Sequence, residues 1–158
     1  MTSKEQSLQP LSPSEEAFVR ALGRVLLVLP RAVDADMVRE AGLPLSEYNA
    51  LRHISEAPER HLRMSELAAA CDLSLSGMTR VVMRLEKQGW VTRVKCAEDG
   101  RGWNAVLTDS GLARLERAWP THLTSLRRHL VDHFSDQDLT QLTATLQRVA
   151  ASYGNVRS

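Results

Sequence analysis

Apolar residues recur at three- and four-residue steps along most of this chain, and one stretch past its middle breaks that rhythm. Phe18, Leu22, Val25, Leu26 and Leu29 form one helical stripe. Ser12-Pro13-Ser14-Glu15 precedes it: a capping serine, a proline suited to the first helical position, and a carboxylate that can reach back to the cap. Pro30 predicts a kink or an end, with helix resuming over 32–41 until Gly42. A third helix is expected over 46–56, with Leu45, Tyr48, Leu51 and Ile54 inward and Ala57-Pro58 closing it. A short helix over 65–71 capped by Ser65, a turn at Asp72-Leu73 and a helix from Ser74 to Gln88, stopped by Gly89, come next.

The period then changes. Segments 90–96 and 103–107 are rich in β-branched and aromatic residues around a polar, Gly-containing loop, which reads as a β-hairpin. Thr108 caps a long helix over 109–133 carrying Leu112, Leu115, Trp119, Leu123, Leu126 and Leu130, which Pro120 should bend. Ser135-Asp136-Gln137-Asp138 is a second capping signal, and Leu139, Leu142, Leu146, Val149 and Tyr153 stripe the last helix. Residues 1–11 read as a flexible polar tail, and there is no internal repeat.

Composition adds a few exclusions. With 158 residues, 43% apolar and 25% charged, the chain has enough apolar surface to fold. Aromatics at 4% favour helices with an aliphatic core over a β-sandwich. No apolar run nears the ~18 residues of a spanning helix, and the N-terminus lacks a signal pattern, so a cytoplasmic protein is expected. Two cysteines, Cys71 and Cys96, fit a reducing compartment. There is no Gly-rich phosphate loop, HExxH, CxxC or serine elbow, and Asp34, Asp36 and Glu40 do not form a convincing acid/base pair, so an enzyme is not expected.

Charge is more informative in its placement than in its total. Between Ser74 and Lys95 stand Arg80, Arg84, Lys87, Arg93 and Lys95 against the single acid Glu86, a net +4 in a chain of net +1. On a helix over 74–88, Met78, Val81, Val82 and Leu85 share one sector, while Ser76, Thr79, Arg80, Met83, Arg84 and Lys87 cover the other side. Helix, short helix, turn, helix, hairpin is the order of a winged helix-turn-helix. A helix with that cationic face fits the ~12 Å major groove of B-DNA. Thr79 and Arg80 sit where base edges are read, and Arg80 can pair bidentately with guanine. Ser74 and Ser76, with the free N–H groups of the first turn, suit a phosphate oxygen, while Arg84 and Lys87 suit backbone.

In the hairpin, Arg93 and Lys95 alternate onto one strand face and can point toward phosphates. Arg101 at the tip can reach a narrow minor groove. Asp99 would be repelled by DNA, so its role is either to position Arg101 or Arg84, or simple turn chemistry. The terminal helices carry leucine stripes outside the winged unit, and a two-fold dimer is the commonest way to bury them. Recognition helices would then stand ~34 Å apart.

The segment SELAAACDLSLSGMTRVVMRLEKQGWVTRV…EDGRGWNAVLTDSG resembles the MarR family of transcriptional regulators. Its specific parts are Glu66-Leu67-Ala68, Thr79-Arg80, Arg84-Leu85-Glu86, Gly89-Trp90-Val91, and Asp99-x-Arg101 followed by Leu107-Thr108-x-x-Gly111. Gly42-Leu43 and Tyr48-x-x-Leu51 also match. The resemblance implies a homodimer with intertwined terminal helices, a pseudo-palindromic double-stranded DNA site, and Arg101 in the minor groove. It also implies an effector cleft, for which Tyr48, His53 and Trp119 are the candidate lining residues, with plain core or interface packing as the alternative. Pro44 and Gly77 depart from the family pattern: the first stands where a capping Thr is common, the second where a small polar residue is.

The expected architecture is therefore mainly α with a small β-hairpin wing: a tail over 1–11, dimerisation helices over 12–44 and 109–158, and a winged helix-turn-helix over 45–108. The expected function is a DNA-binding repressor released by a small ligand, with no cofactor. Two alternatives stand beside it. One is a zinc- or redox-responsive regulator of the same fold, for which His122, His129 and His133 lie on one helix but lack a third ligand type at clear spacing. Cys71 reads as packing and Cys96 as the more exposed thiol; family members that sense peroxide use a cysteine near the N-terminus, which this chain lacks. The other is a winged protein-interaction module without DNA binding.

Overall fold

The computed structural model describes residues 9–96 and 102–153. Helix α1 spans Pro13–Asp36, and its start carries the reciprocal Ser12–Glu15 capping box. Pro30 does not end α1, which continues through that residue. The reason is tertiary: Val33, Asp36 and Met37 beyond it are all buried, so ending the helix at Pro30 would forfeit their contacts. A π-helical turn, Met37–Ala41, follows and ends at Gly42 with φ 61°, a left-handed geometry suited to glycine.

Helix α2 is Leu45–Glu56. Pro44 at its N-cap has no capping side chain, and Asp34 of α1 substitutes, accepting the Leu45 N–H at 2.8 Å. A 3₁₀ turn leads into strand β1, His61–Arg63, which the sequence reading missed. β1 runs directly into helix α3, Met64–Ala70, so Arg63 is the N-cap and Ser65 lies inside the first turn instead of capping it. Helix α4, Leu75–Lys87, is capped by Ser74, whose Oγ accepts from the Gly77 N–H at 3.1 Å. Strands β2, Val91–Lys95, and β3, Trp103–Leu107, form the hairpin, and β1 pairs with the far side of β3 to give an antiparallel sheet of order β1-β3-β2.

Helix α5, Asp109–His129, contains Pro120 and stops four residues short of its expected end, where Leu130 turns non-helical and a 3₁₀ turn spans Val131–His133. Helix α6, Asp136–Tyr153, begins at the predicted capping signal, with Asp138 and Ser135 bonded reciprocally. Among the described residues no helix is long and apolar enough to cross a membrane.

One buried cluster runs through the molecule. Val33 and Met37 meet Tyr48, Leu51 and Ile54 of α2, Met78, Val82 and Leu85 of α4, Ala105 and Leu107 of β3, and Leu115 and Ala118 of α5. The end of α1 and the first half of α5 thus brace the winged unit.

The Leu-Thr-x-x-Gly segment has a clear mechanical role. Thr108 accepts the Gly111 N–H at 3.0 Å and donates to the Gly89 carbonyl at 2.7 Å, tying the end of α4 to the start of α5. A Cβ at Gly111 would come within 2.1 Å of the Trp90 carbonyl oxygen and 2.8 Å of Leu107. Gly111→Ala is expected to lower the thermal midpoint by about 3–10 °C, since overpacking against backbone costs ~1–3 kcal/mol or more. Calorimetry of the two proteins checks this.

Candidate nucleic-acid interface

Helix α4 has the two faces its periodicity predicts. Met78, Val81, Val82 and Leu85 are buried, and Arg80, Met83, Arg84 and Lys87 are exposed. At its N-terminus Ser74 and Ser76 share a hydroxyl contact of 3.2 Å on the exposed side. Thr79 is half-buried, its hydroxyl donating back to the Leu75 carbonyl at 2.8 Å. Arg80 and Lys87 have no carboxylate partner among the described residues.

The other cations are held. Arg84 donates its Nε to Glu47 of α2 at 2.6 Å. Among the described residues Glu47 is the carboxylate on Arg84; Asp99 and Arg101, with the positioning role considered for Asp99, lie outside the described residues. Arg93 is drawn inward, its side chain 31% exposed and its Nε donating to Glu86 at 2.8 Å. The register explains this. Val91, Arg93 and Lys95 share a sheet face with Leu107, Ala105 and Trp103, and the inner end of that face is core. Arg93 is thus directed toward α4. At the outer end Arg93 and Lys95 flank the exposed Trp103 ring at 5.7 and 5.8 Å. A cleft of about 250 Å³ lined by Leu75 and Thr79 of α4, Arg93 and Trp103 of the hairpin, and Met64 of α3 joins helix and wing on one side of the molecule.

Residues 41–102 match the MarR family model. A MarR family regulator from Streptomyces coelicolor, solved in complex with DNA, is 34% identical, with a TM-score of 0.83 over 90% of this chain and 93% of that one. The S. coelicolor MarR regulator AbsC is 32% identical, with a TM-score of 0.84 over 93% and 99% of the two chains. The transcriptional regulator PecS of Dickeya dadantii is 29% identical over 88% of this chain and 83% of its own length. The chain belongs to the MarR family of transcriptional regulators.

This MarR regulator is accordingly no enzyme, and its mainly helical fold with a three-stranded sheet matches those neighbours. The remaining candidates from the sequence fall into separate neighbourhoods. Tyr48 is fully buried and stacks on His122, with ring centroids 4.3 Å apart, and Trp119 stands 6.4 Å from His122. His122 is thus the residue that joins Tyr48 to Trp119, a role its sequence position gave no sign of. His53 lies against Arg52 at 3.4 Å. Burial pushes the His53 and His122 pKa values down and that of Tyr48 up, so all three favour their neutral forms.

The three α5-region histidines do not converge: His122 faces Tyr48, whereas His129 bonds Asp36 at 2.9 Å. Cys96, expected to be the exposed thiol, is buried and donates to the Asn104 Oδ1 at 3.1 Å. Cys71 is half-buried, and that burial raises its pKa, which suppresses the reactive thiolate.

Asp36 is a buried hub. It accepts from Ser125 at 2.8 Å, Arg128 at 3.1 Å and His129, and also from Arg39. The Ser125 hydrogen bond leads in pulling its pKa far below the usual carboxylate range, the reverse of what a general acid needs. A depressed folded pKa supplies stability above the unfolded value, near 3.8, and loses it as pH falls toward the folded one. Asp36→Asn should therefore lower the melting temperature at pH 6, with the gap to wild type beginning to narrow only as pH falls below about 4. A gap independent of pH would refute the assignment.

Proposed function

We propose that this MarR regulator is a homodimeric repressor that binds a pseudo-palindromic double-stranded DNA site in the cytoplasm. In this reading α4 enters the major groove. Thr79 and Arg80 meet base edges, Ser74 and Ser76 meet a phosphate, and Arg84, Lys87 and Lys95 meet backbone, with Arg101 and Asp99 at the wing. The observation that carries it is the face of α4. Arg80 stands exposed and, among the described residues, without a carboxylate partner on a helix whose other side is locked into the core. A merely solvated face would not share one side of the molecule with a cationic, Trp-bearing hairpin. The same pairing argues against a protein-interaction module.

The dimer is supported by uncovered leucines. Leu26 and Leu27 of α1 are 66% and 63% exposed, and Leu146 of α6 is 51% exposed. Nearly all of α6 is open in the single chain, which a stripe of this kind does not tolerate in water. The helices on either side of the winged unit, 12–44 and 109–158, are therefore the proposed dimerisation region.

The effector part of the reading rests on two polar atoms. The Tyr48 hydroxyl and the Arg52 Nε are buried with no hydrogen-bond partner among the described residues, and the Tyr48 ring stacks on His122. An effector bearing an acceptor oxygen would satisfy both.

The test is selection of duplexes from a random library by the full-length protein, followed by anisotropy titration at several salt concentrations. One enriched, two-fold symmetric sequence is expected, with log affinity falling by ~0.9 per neutralised phosphate against log salt. No enrichment over random DNA would overturn the reading.

A further inference from the structure

We infer that Glu47 is a positioning residue for DNA recognition, acting by clamping Arg84; the inference rests on the DNA-binding reading above. Glu47 lies in the first turn of α2, where the positive end of the helix favours a carboxylate. Its side chain is only 11% exposed, whereas that of Arg84 is 54% exposed. The pair is therefore asymmetric: a carboxylate fixed within the protein holds a guanidinium that stands in solvent. An ordinary surface ion pair has two mobile partners and contributes little.

The atom used is what gives the pair a function. Glu47 takes Nε of Arg84 at 2.6 Å. That leaves the two terminal NH₂ groups, with four N–H donors, on the exposed side of α4. A free arginine would give up rotamer entropy on binding, and the clamp removes part of that loss beforehand. Arg114, the other cation near Glu47, spends a terminal NH₂ on the Ala41 carbonyl and lays its guanidinium over Trp90 at 5.2 Å, so Arg84 is the hydrogen-bonded partner. Arg84 thus reaches the duplex pre-oriented, with one edge on the protein and one edge for DNA. Lysine offers a single ammonium and cannot present two such edges.

Full-length wild type, Glu47→Gln, Arg84→Ala, Arg84→Lys and the Glu47→Gln/Arg84→Ala double variant would be titrated against the duplex selected by wild type and against a random duplex. Glu47→Gln is expected to weaken the selected duplex about fivefold to tenfold, with thermal midpoints within a few degrees. The double variant should be no weaker than Arg84→Ala alone, because the clamp acts only through that arginine. Arg84→Lys should fall as far as Glu47→Gln, and it does not depend on whether α2 tolerates glutamine. Full wild-type affinity in Glu47→Gln or Arg84→Lys, or multiplying losses in the double variant, would overturn the clamp alone. Failure of wild type itself to select a duplex would overturn the DNA-binding reading and the clamp with it.

Discussion

Leu26→Glu combined with Leu146→Glu is expected to give a folded monomer that binds the selected duplex at least about a hundredfold more weakly than wild type. Both side chains are more than half exposed in the single chain, so neither substitution removes an intrachain core contact, and the winged unit should keep its melting transition. The loss comes from geometry. Two linked recognition helices turn the second half-site contact into an intramolecular event, and a monomer forgoes that gain. Sedimentation would give the mass and anisotropy the affinity. A dimer with unchanged affinity would show that these leucines are not the interface.

Arg80→Ala carries the second large effect. It should weaken the selected duplex by roughly 5- to 150-fold, the ~1–3 kcal/mol of one bidentate base contact, while random duplex changes little. Lys95→Ala is the control of opposite character. It should weaken both duplexes alike and lower the salt slope by about one, as a phosphate contact does. Equal losses on both duplexes for Arg80→Ala would remove it from the base-reading role. Arg84 and Arg93 are bonded to Glu47 and Glu86, so removing either also disturbs the protein, whereas Arg80 has no carboxylate partner among the described residues.

Much of this was legible before any coordinates. The buried and exposed sides of α4, its Ser74 cap, the hairpin and the Ser12 and Ser135 capping boxes depend on residues within about one helical turn or one strand of each other, where spacing alone decides geometry. The errors have a common source as well. Pro30 carries a strong local preference to end a helix, yet α1 continues through it because Val33, Asp36 and Met37 beyond it are buried. Strand β1 is three residues long, too short for a period, and exists because β3 offers it an edge.

What the sequence determined by itself, then, is the winged helix-turn-helix order, the cationic side of α4 and the leucine stripes that ask for a partner. Only the tertiary structure decided which cations stand free. Glu47 and Arg84 are 37 residues apart, and Asp36 reaches Ser125 and His129 across 89 and 93. Tertiary structure likewise buried Cys96 and set His122 between Tyr48 and Trp119. Local spacing carries no record of such pairings, because they form where packed helices and strands happen to bring distant side chains within hydrogen-bonding range.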